Sequence, residues 1–328
     1  MRKRLLSLLL ALVVLFTCAC GAPQSAEESE KLQVVTTLFP YYDFVRAIGG
    51  ERVEPTLLLP PGMEPHSFEP TPLDVVTLSR ADVLIYNGGS GEIWVEEILD
   101  SADRSVQHVL CAMAEVEIVE SEVVEGMEDA PHAHDHDEDF QEEHHQDEDS
   151  DHVEYDEHIW TSPVNAMAIA AAVCETLTAA DPEGAAYYEE NLTAYLAELT
   201  ALHEEFLSIR ENAARDLLLF GDRFPLLYFC KTYDLRYRAA FHGCAGDTEP
   251  GLGTIKFLID LANAEDIPVV FTIELSSGKV ANVISESSSA VPRTFYSLQN
   301  ISRDDFNAGE TYLSLMWKNT QVLKEALS

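Results

Sequence analysis

Basic side chains are scarce in this chain of 328 residues. It has 20 Lys and Arg against 58 Asp and Glu, which gives a formal net charge of −38. Nucleic acids and anionic membrane surfaces are bound through clusters of Lys and Arg, so the scarcity argues against both as partners. A strongly acidic chain is, by contrast, compatible with binding a cation.

Three sequence patterns of enzymes and nucleotide-binding proteins are missing as well. His203 and Glu204 do not begin an HExxH zinc-protease pattern, because Leu207 stands where the second histidine would be. The run GGSG is followed by Glu92, so it is not a G-x-S-x-G nucleophile turn, and no GxxxxGK phosphate loop occurs. We therefore predict that the chain is not an enzyme. An exported zinc-dependent hydrolase is the alternative.

The first 20 residues have the pattern of an export signal. Three basic residues near the start precede an apolar run over residues 5–16, which is too short for a permanent membrane-spanning helix. Cys20 follows a small residue and fits the end of a lipoprotein signal better than Cys18 does. We expect lipid on Cys20 to hold the mature chain at the extracytoplasmic face of the bacterial plasma membrane. Residues 21–31 would form a flexible tether, and secretion without an anchor is the alternative.

From residue 32 onward, short apolar strand patterns alternate with helical patterns, as in α/β domains with parallel sheets. Apolar residues also recur at steps of three and four along residues 182–212, which predicts one helix roughly 46 Å long at 1.5 Å per residue. We predict two α/β lobes, over residues 32–181 and 213–328, joined by this long rigid helix with a cleft between them. A two-helix hairpin within one domain is the alternative.

One insert carries much of the acidity. Residues 115–157 hold 20 of the 58 acidic side chains and no Lys or Arg. Such a segment cannot pack, so we predict a disordered loop at about 119–153. Imidazole and carboxylate together suit Zn²⁺, which predicts loose, exchangeable sites, whereas a solvated charge run is the alternative. The candidate ligands of this loop are His132, His134, His136, His144, His145 and His152.

Two further histidines are placed where a fold could hold them: one follows a predicted strand, and the other lies next to a tryptophan. His66 ends the stiff run PPGMEPH directly after a predicted strand, and His158 lies in DEHIW, where the chain returns from the acidic insert. A neighbouring carboxylate could orient the imidazole of His158, as happens for metal-binding histidines. Either histidine alone fits an ordinary surface position. Together, beside a His-rich insert, they are candidate metal ligands.

These motifs resemble those of the solute-binding lipoproteins of bacterial zinc and manganese ABC importers, the ZnuA-type group. The resemblance covers residues 32–328 and rests on the segments VTTLFP, PGMEPH, ADVLIYNG, EIW, DEHIW, TEPG and GETYL. It implies a metal site in the cleft, with His66 and His158 as ligands from the first lobe. It also implies that a monomeric binding protein delivers its ion to a membrane permease driven by a separate ATPase.

The second lobe departs from the family pattern. The family usually has a His or Glu ligand in a segment like residues 220–229, where Asp222 is the nearest candidate here. Its usual fourth ligand is an Asp shortly before the last helix, but residues 296–300 contain no carboxylate. His242, at the end of a predicted strand, could replace one of these ligands, and a water could fill a fourth position.

The identity of the metal is open at this level. Imidazole-rich coordination and the His-rich insert favour Zn²⁺ as the transported ion, whereas Mn²⁺ prefers oxygen donors and stays the alternative because carboxylates are near. A role in adhesion has been ascribed to some relatives of the family, but this sequence has no distinctive feature that indicates such a role. Cys230 and Cys244 are close enough in sequence to form a disulfide, although spacing alone does not decide the pairing.

Overall fold

The computed structural model describes residues 31–65, 68–101, 106–127, 154–243 and 250–328. The predicted signal with Cys20, almost all of the tether, His66, Cys244 and the six loop histidines lie outside these ranges. Residues 32–328 form one compact unit, in which two α/β lobes share a hydrophobic core.

The N-terminal lobe is built on a four-stranded sheet in which every strand is parallel to its neighbour. Its order is β2-β1-β3-β4. The strand VLIY is buried along its whole length, as expected for a sheet covered on both faces. The elements in chain order are β1 (Leu32–Thr36), α1 (Phe39–Gly49), β2 (Val53–Leu57), α2 (Pro72–Ser79), β3 (Val83–Tyr86), α3 (Ile93–Ser101) and β4 (His108–Cys111).

Two antiparallel helices lead to the second lobe. Helix α4 (Pro163–Ala180) is long and apolar enough to cross a membrane by composition, yet its residues Ile169 and Val173 are fully buried in the shared core. The predicted long helix is confirmed. It begins as the 3₁₀ turn Pro182–Gly184 and continues as α5 (Ala185–Glu211), whose apolar face is buried.

The C-terminal lobe repeats the strand order of the first lobe. Its four parallel strands are arranged β6-β5-β7-β8, so each sheet has its second, first, third and fourth strand side by side. The elements are β5 (Leu217–Phe224), α6 (Leu227–Thr232), β6 (Arg236–His242), α7 (Leu252–Ala264), β7 (Val269–Thr272), α8 (Lys279–Glu286), β8 (Val291–Thr294), α9 (Arg303–Ala308) and α10 (Tyr312–Leu327). The prediction of two parallel α/β lobes is therefore confirmed.

Three short elements of this lobe are not evident from the sequence. Strand β8 reads VPRT, with no buried residue, and α6 and α9 are six residues each. Gly309 ends α9 at φ +79°, and Thr311 caps α10. Glycine is favoured at this left-handed position, which separates the two helices.

Buried aromatic residues join the lobes. Trp160, in a 3₁₀ turn before α4, is fully buried, and its indole Nε1 donates a hydrogen bond to the Ser297 carbonyl oxygen at 2.8 Å. The Tyr312 amide of α10 donates to Asp43 of α1 at 2.8 Å, while its hydroxyl donates to the Trp160 carbonyl at 2.7 Å. These contacts fix the two sheets relative to each other with their carboxyl edges at the interface.

The acidic insert begins later than its composition suggests. Glu120 and Tyr155 form an antiparallel bridge, and the Asp156 amide donates to the Val119 carbonyl at 2.9 Å. Apolar side chains, among them Val124 and Met127, pack against the core from this segment. Residues 119–127 are therefore ordered against the body rather than part of the loop predicted from about 119. The chain then reaches His158 three residues after this bridge.

Candidate metal site

The imidazole of His158 is oriented by a carboxylate. His158 is fully buried just before Trp160, and its amide donates to Asp156 Oδ1 at 2.9 Å. The ring Nδ1 lies 3.2 Å from the same oxygen. Burial raises the pKa of Asp156, but its electrostatic interaction with His158 and the hydrogen bonds from that residue outweigh burial and keep the pKa of this carboxyl below its usual value. An imidazole that donates from Nδ1 to a carboxylate presents its lone pair at Nε2, as metal-ligating histidines do.

The end of strand β6 approaches this imidazole from the second lobe. His242 is the last residue of β6 and is largely buried, and its electrostatic interaction with Asp156 also lowers the pKa of that carboxyl. A Cβ on the next residue, Gly243, would lie 3.2 Å from Cε1 of His158 and 2.8 Å from the Phe224 carbonyl oxygen. Only a glycine allows this approach without displacing a neighbour. The residue that follows the predicted ligand His242 thus lies against the imidazole of the predicted ligand His158.

Asp222 lies at an irregularity of strand β5, where the register with β6 shifts. Its carboxylate accepts hydrogen bonds from the Arg223 amide at 2.9 Å and, more weakly, from the Ile273 amide at 3.4 Å. Burial raises the pKa of Asp222, and these hydrogen bonds oppose the rise. The side chain lines a cavity of about 610 Å³ at the carboxyl edge of the C-terminal sheet, together with Glu64 and Lys279.

The described ranges contain no group of three or more His, Cys, Asp or Glu side chains placed to hold a metal ion. They bring the end of β6 against His158, but Asp222 does not complete a cluster with His158 and His242. His66, the other predicted ligand, lies outside the described residues. The ligand set therefore stays a prediction.

A hydrogen-bond network behind His158 fixes its segment to the first sheet. The side-chain amide of Asn87, directly after β3, donates to the Glu157 carbonyl at 3.0 Å, and its oxygen accepts from the Tyr41 hydroxyl. The backbone N–H of Asn87 donates to the carboxylate of Glu92 at 2.6 Å. Burial raises the pKa of Glu92 to about 7. The glycines of the run YNGGSGEI are typical of a turn, but they do not indicate this supporting role.

The carboxylate of Glu157 points to the same turn. It accepts hydrogen bonds from the Ser90 hydroxyl at 2.8 Å and the Gly91 amide at 3.0 Å. A Cβ on Gly89, whose φ is +83°, would lie 2.5 Å from Glu157 Oε1. Glu157 thus anchors the residue before His158, and the glycines of the turn make room for it.

Glu274 is a carboxylate that the sequence analysis missed. It lies two residues after β7, is buried, and accepts hydrogen bonds from the Ser297 amide at 2.6 Å and hydroxyl at 2.7 Å. Burial raises its pKa to about 7. Residues 296–300, which lack a carboxylate of their own, therefore receive one from the neighbouring strand. Its place directly after the buried run PVVFTI is the signal that could have identified it.

Comparison with known proteins gives consistent matches along the chain. The model of the family described as "Zinc-uptake complex component A periplasmic" matches residues 34–326. The zinc-binding lipoprotein AdcA of Streptococcus pneumoniae is 28% identical over 323 residues, which cover 98% of this chain and 61% of AdcA. The high-affinity zinc uptake system protein ZnuA of Bacillus subtilis is 28% identical over 329 residues, covering 97% of this chain and 96% of ZnuA. The chain thus spans 61% of the length of AdcA.

Solved structures share the two-lobed architecture. Zn(II)-bound AdcA from Streptococcus pneumoniae superposes with a TM-score of 0.72 at 25% identity, covering 90% of this chain and 58% of that one. The metal-dependent lipoprotein YcdH from Bacillus subtilis gives 0.72 at 25% identity, with 90% and 99% covered. The laminin-binding protein Lbp of Streptococcus pyogenes gives 0.69 at 21% identity, with 91% and 99% covered, which shows the fold alone. With the family model matching nearly all of the two-lobed body, the chain belongs to the family of zinc-uptake complex component A.

Proposed function

We propose that this chain is the extracytoplasmic zinc-binding component of an ABC importer, which captures Zn²⁺ between its lobes and delivers it to a membrane permease. A separate ATPase would drive the permease. The observation that carries the proposal is the imidazole of His158, oriented by Asp156 and placed against the end of the strand that carries His242. The zinc named in the family description and in its relatives supports the same cargo.

In this proposal His158 and His242 bind the ion from facing lobes, and His66 and Asp222 are the further candidate ligands. A site with several imidazoles favours Zn²⁺ over Mn²⁺, which prefers mostly oxygen donors. The histidines of the acidic loop would serve as weak auxiliary sites. Their segment also carries dense negative charge, which raises the local concentration of cations around it.

The mature chain would act as a monomer, anchored outside the plasma membrane by lipid on Cys20, and the word lipoprotein in the names of its relatives supports this location. The family description names an uptake component rather than an enzyme class. The ion is therefore cargo in this proposal, and we assign no catalytic step to the residues around it.

The first experiment measures metal content and competitive affinity of a mature chain that lacks residues 128–152. We expect one tightly held Zn²⁺ per chain, lost in His158→Ala and in His66→Ala because each removes a nitrogen donor. His203→Ala is the matched control. This histidine is half-buried on α5, and its Nδ1 lies 3.0 Å from the Tyr233 hydroxyl.

Zinc binding should survive in the His203 variant. Preferential binding of Mn²⁺, or no tight metal in the parent chain, would refute the zinc proposal. Loss of zinc in all three variants would show that histidine replacement damages the fold, and His158 would lose its assignment as a ligand.

A further inference from the structure

The loop that leads to His66 is held by the opposite lobe. Asn300 follows β8 and is almost fully buried. Its side-chain amide donates to two carbonyl oxygens of the loop, that of Pro60 at 2.9 Å and that of Met63 at 2.7 Å. The Asn300 oxygen accepts from the Ile301 amide at 2.8 Å, which fixes the orientation of the side chain. One asparagine of the C-terminal lobe thus joins both sides of a tight turn in the N-terminal lobe.

Backbone contacts extend the same attachment. The Gly62 amide donates to the Ile301 carbonyl at 2.8 Å, and Nε of Arg303 donates to the Pro61 carbonyl at 3.1 Å. Gly62 has a φ of +81°, and a Cβ there would lie 3.1 Å from Cγ of Arg303. The turn therefore requires glycine both for its backbone conformation and for its contact with the other lobe.

An ion pair completes the attachment two residues before His66. The guanidinium of Arg223 donates to both carboxylate oxygens of Glu64, at 2.9 and 2.7 Å. The side chains of Arg223 and Glu64 are 15% and 27% exposed, so the pair is largely shielded from water. Two-pronged pairs of this kind fix geometry as well as add binding energy. Arg223 directly follows the candidate ligand Asp222.

We propose that Arg223 and Asn300 are positioning residues for zinc binding, which hold residues 60–64 from the C-terminal lobe and so fix the chain that enters His66. This inference rests on the proposed function. We name these contacts of Arg223, Asn300, Ile301 and Arg303 with residues 60–64 the clasp. In this way residues 296–300 contribute to the site without a carboxylate: they hold the ligand loop of the other lobe.

The clasp predicts the opposite effect on zinc binding from that expected if Arg223 acted only through its positive charge. Arg223 is a positive charge beside the proposed cation site, so its replacement by an acidic residue should strengthen zinc binding if only charge matters. If Arg223 positions the loop, Arg223→Glu should instead speed zinc dissociation by about tenfold, because the loop loses its anchor and repels Glu64. A tenfold change corresponds to about 1.4 kcal/mol.

The experiment measures zinc dissociation into a chelator by stopped flow, in the chain lacking residues 128–152. We expect about tenfold faster release in Arg223→Glu and in Asn300→Ala, with little change in the association rate. The exchange of both charges, Glu64→Arg with Arg223→Glu, should restore most of the wild-type rate. The matched control exchanges Arg293 and Glu325, which form a two-pronged pair at 2.8 and 2.7 Å within the C-terminal lobe. That exchange should leave release unchanged.

Different failures separate the two proposals. If the parent chain holds zinc tightly and Arg223→Glu binds it equally well or better, the clasp is wrong while zinc capture stands. The clasp is also wrong if the charge exchange fails to restore slow release and Asn300→Ala behaves as wild type. If the parent chain holds no zinc, the proposed function fails, and the clasp has no ligand to position.

Discussion

The two lobes share one strand order but differ at their carboxyl edges. In the N-terminal lobe the edge is filled by hydrogen bonds, because Asn87, Glu92 and Glu157 tie the turn after β3 to the segment of His158. In the C-terminal lobe the edge opens into a cavity of about 610 Å³ beside Asp222. The same topology therefore gives the candidate site two different sides. The side from the N-terminal lobe is filled by hydrogen bonds, and the side from the C-terminal lobe is more open.

A buried glutamate recurs at both edges. Glu92 follows β3 and Glu274 follows β7, the third strand of each sheet, and burial raises the pKa of each to about 7. Each accepts backbone N–H groups, Glu92 from its own turn and Glu274 from Ser297. In both lobes a buried carboxyl thus fixes the loop that leads to the site, and the loop after Ser297 contains Asn300 of the clasp.

The largest expected effect is a loss of stability, and it tests whether the two lobes unfold independently of each other. Trp160→Ala should lower the free energy of unfolding by about 3–5 kcal/mol, as for other fully buried aromatic residues, because the indole packs between Tyr41 and His158 and hydrogen-bonds Ser297. The measurement is urea unfolding followed by circular dichroism. We expect a single transition, since one hydrophobic core contains residues of both lobes.

Trp317→Ala is the control for this substitution. Trp317 lies on α10 and is 38% exposed, whereas Trp160 is 0% exposed. Its loss should cost less than half as much. Two separate transitions in the Trp160 variant would show that each lobe folds alone, and the shared core would then not be the source of its stability.

The second effect concerns the two buried glutamates and pH. Because the folded pKa of Glu92 and of Glu274 lies near 7, above the usual 4.5, the folded state retains a proton that the unfolded state loses. The stability from each group is complete below about pH 4.5 and is lost as pH rises through about 7, by roughly 3 kcal/mol per group. Glu92→Gln and Glu274→Gln remain neutral and should lack this loss.

The measurement compares unfolding free energies of wild type and each variant from pH 5 to pH 8, so that histidine titration common to both cancels. We expect wild type to lose stability relative to each glutamine variant as pH rises. For one of the two glutamates, the difference in unfolding free energy between wild type and the glutamine variant could stay constant with pH. That result would show that the carboxyl of this glutamate is already ionised in the folded state. The similarity between the two edges would then be one of position and not of charge.

Helices and strands could be predicted from the sequence where the pattern lies within the element itself. The strands β3 and β7 are marked by their own apolar runs, and the long helix that contains α5 lies where its helical period predicts it. Strand β8 was missed because VPRT has no buried residue and pairs only through its neighbour β7. Short apolar runs and periodic faces are thus predictable, whereas an edge strand depends on its sheet.

The supporting residues of the site could not be predicted for a related reason. Asn300 acts on Pro60, 240 residues earlier in the chain, and Glu157 acts on a turn 66 residues away. No local pattern encodes such pairs. His158 is predicted as a ligand from its motif and His242 from its strand end, but the approach of Gly243 to His158 depends on how the lobes pack.

The smallest effect compares two glycines with similar φ but different ψ, Gly89 at φ +83° and ψ −175° and Gly309 at φ +79° and ψ +24°. A Cβ on Gly309 would meet nothing within 4 Å, so Gly309→Ala should cost only the backbone strain of about 1 kcal/mol. Gly89→Ala should cost at least about 2 kcal/mol, because its positive φ with an extended ψ is open essentially to glycine alone, and because its Cβ would displace the Glu157 carboxylate from Ser90 and Gly91. It should weaken zinc binding as well, since Glu157 holds the residue next to His158. Equal stability losses with unchanged zinc affinity in both variants would show that the rigid edge of the N-terminal lobe does not support the site.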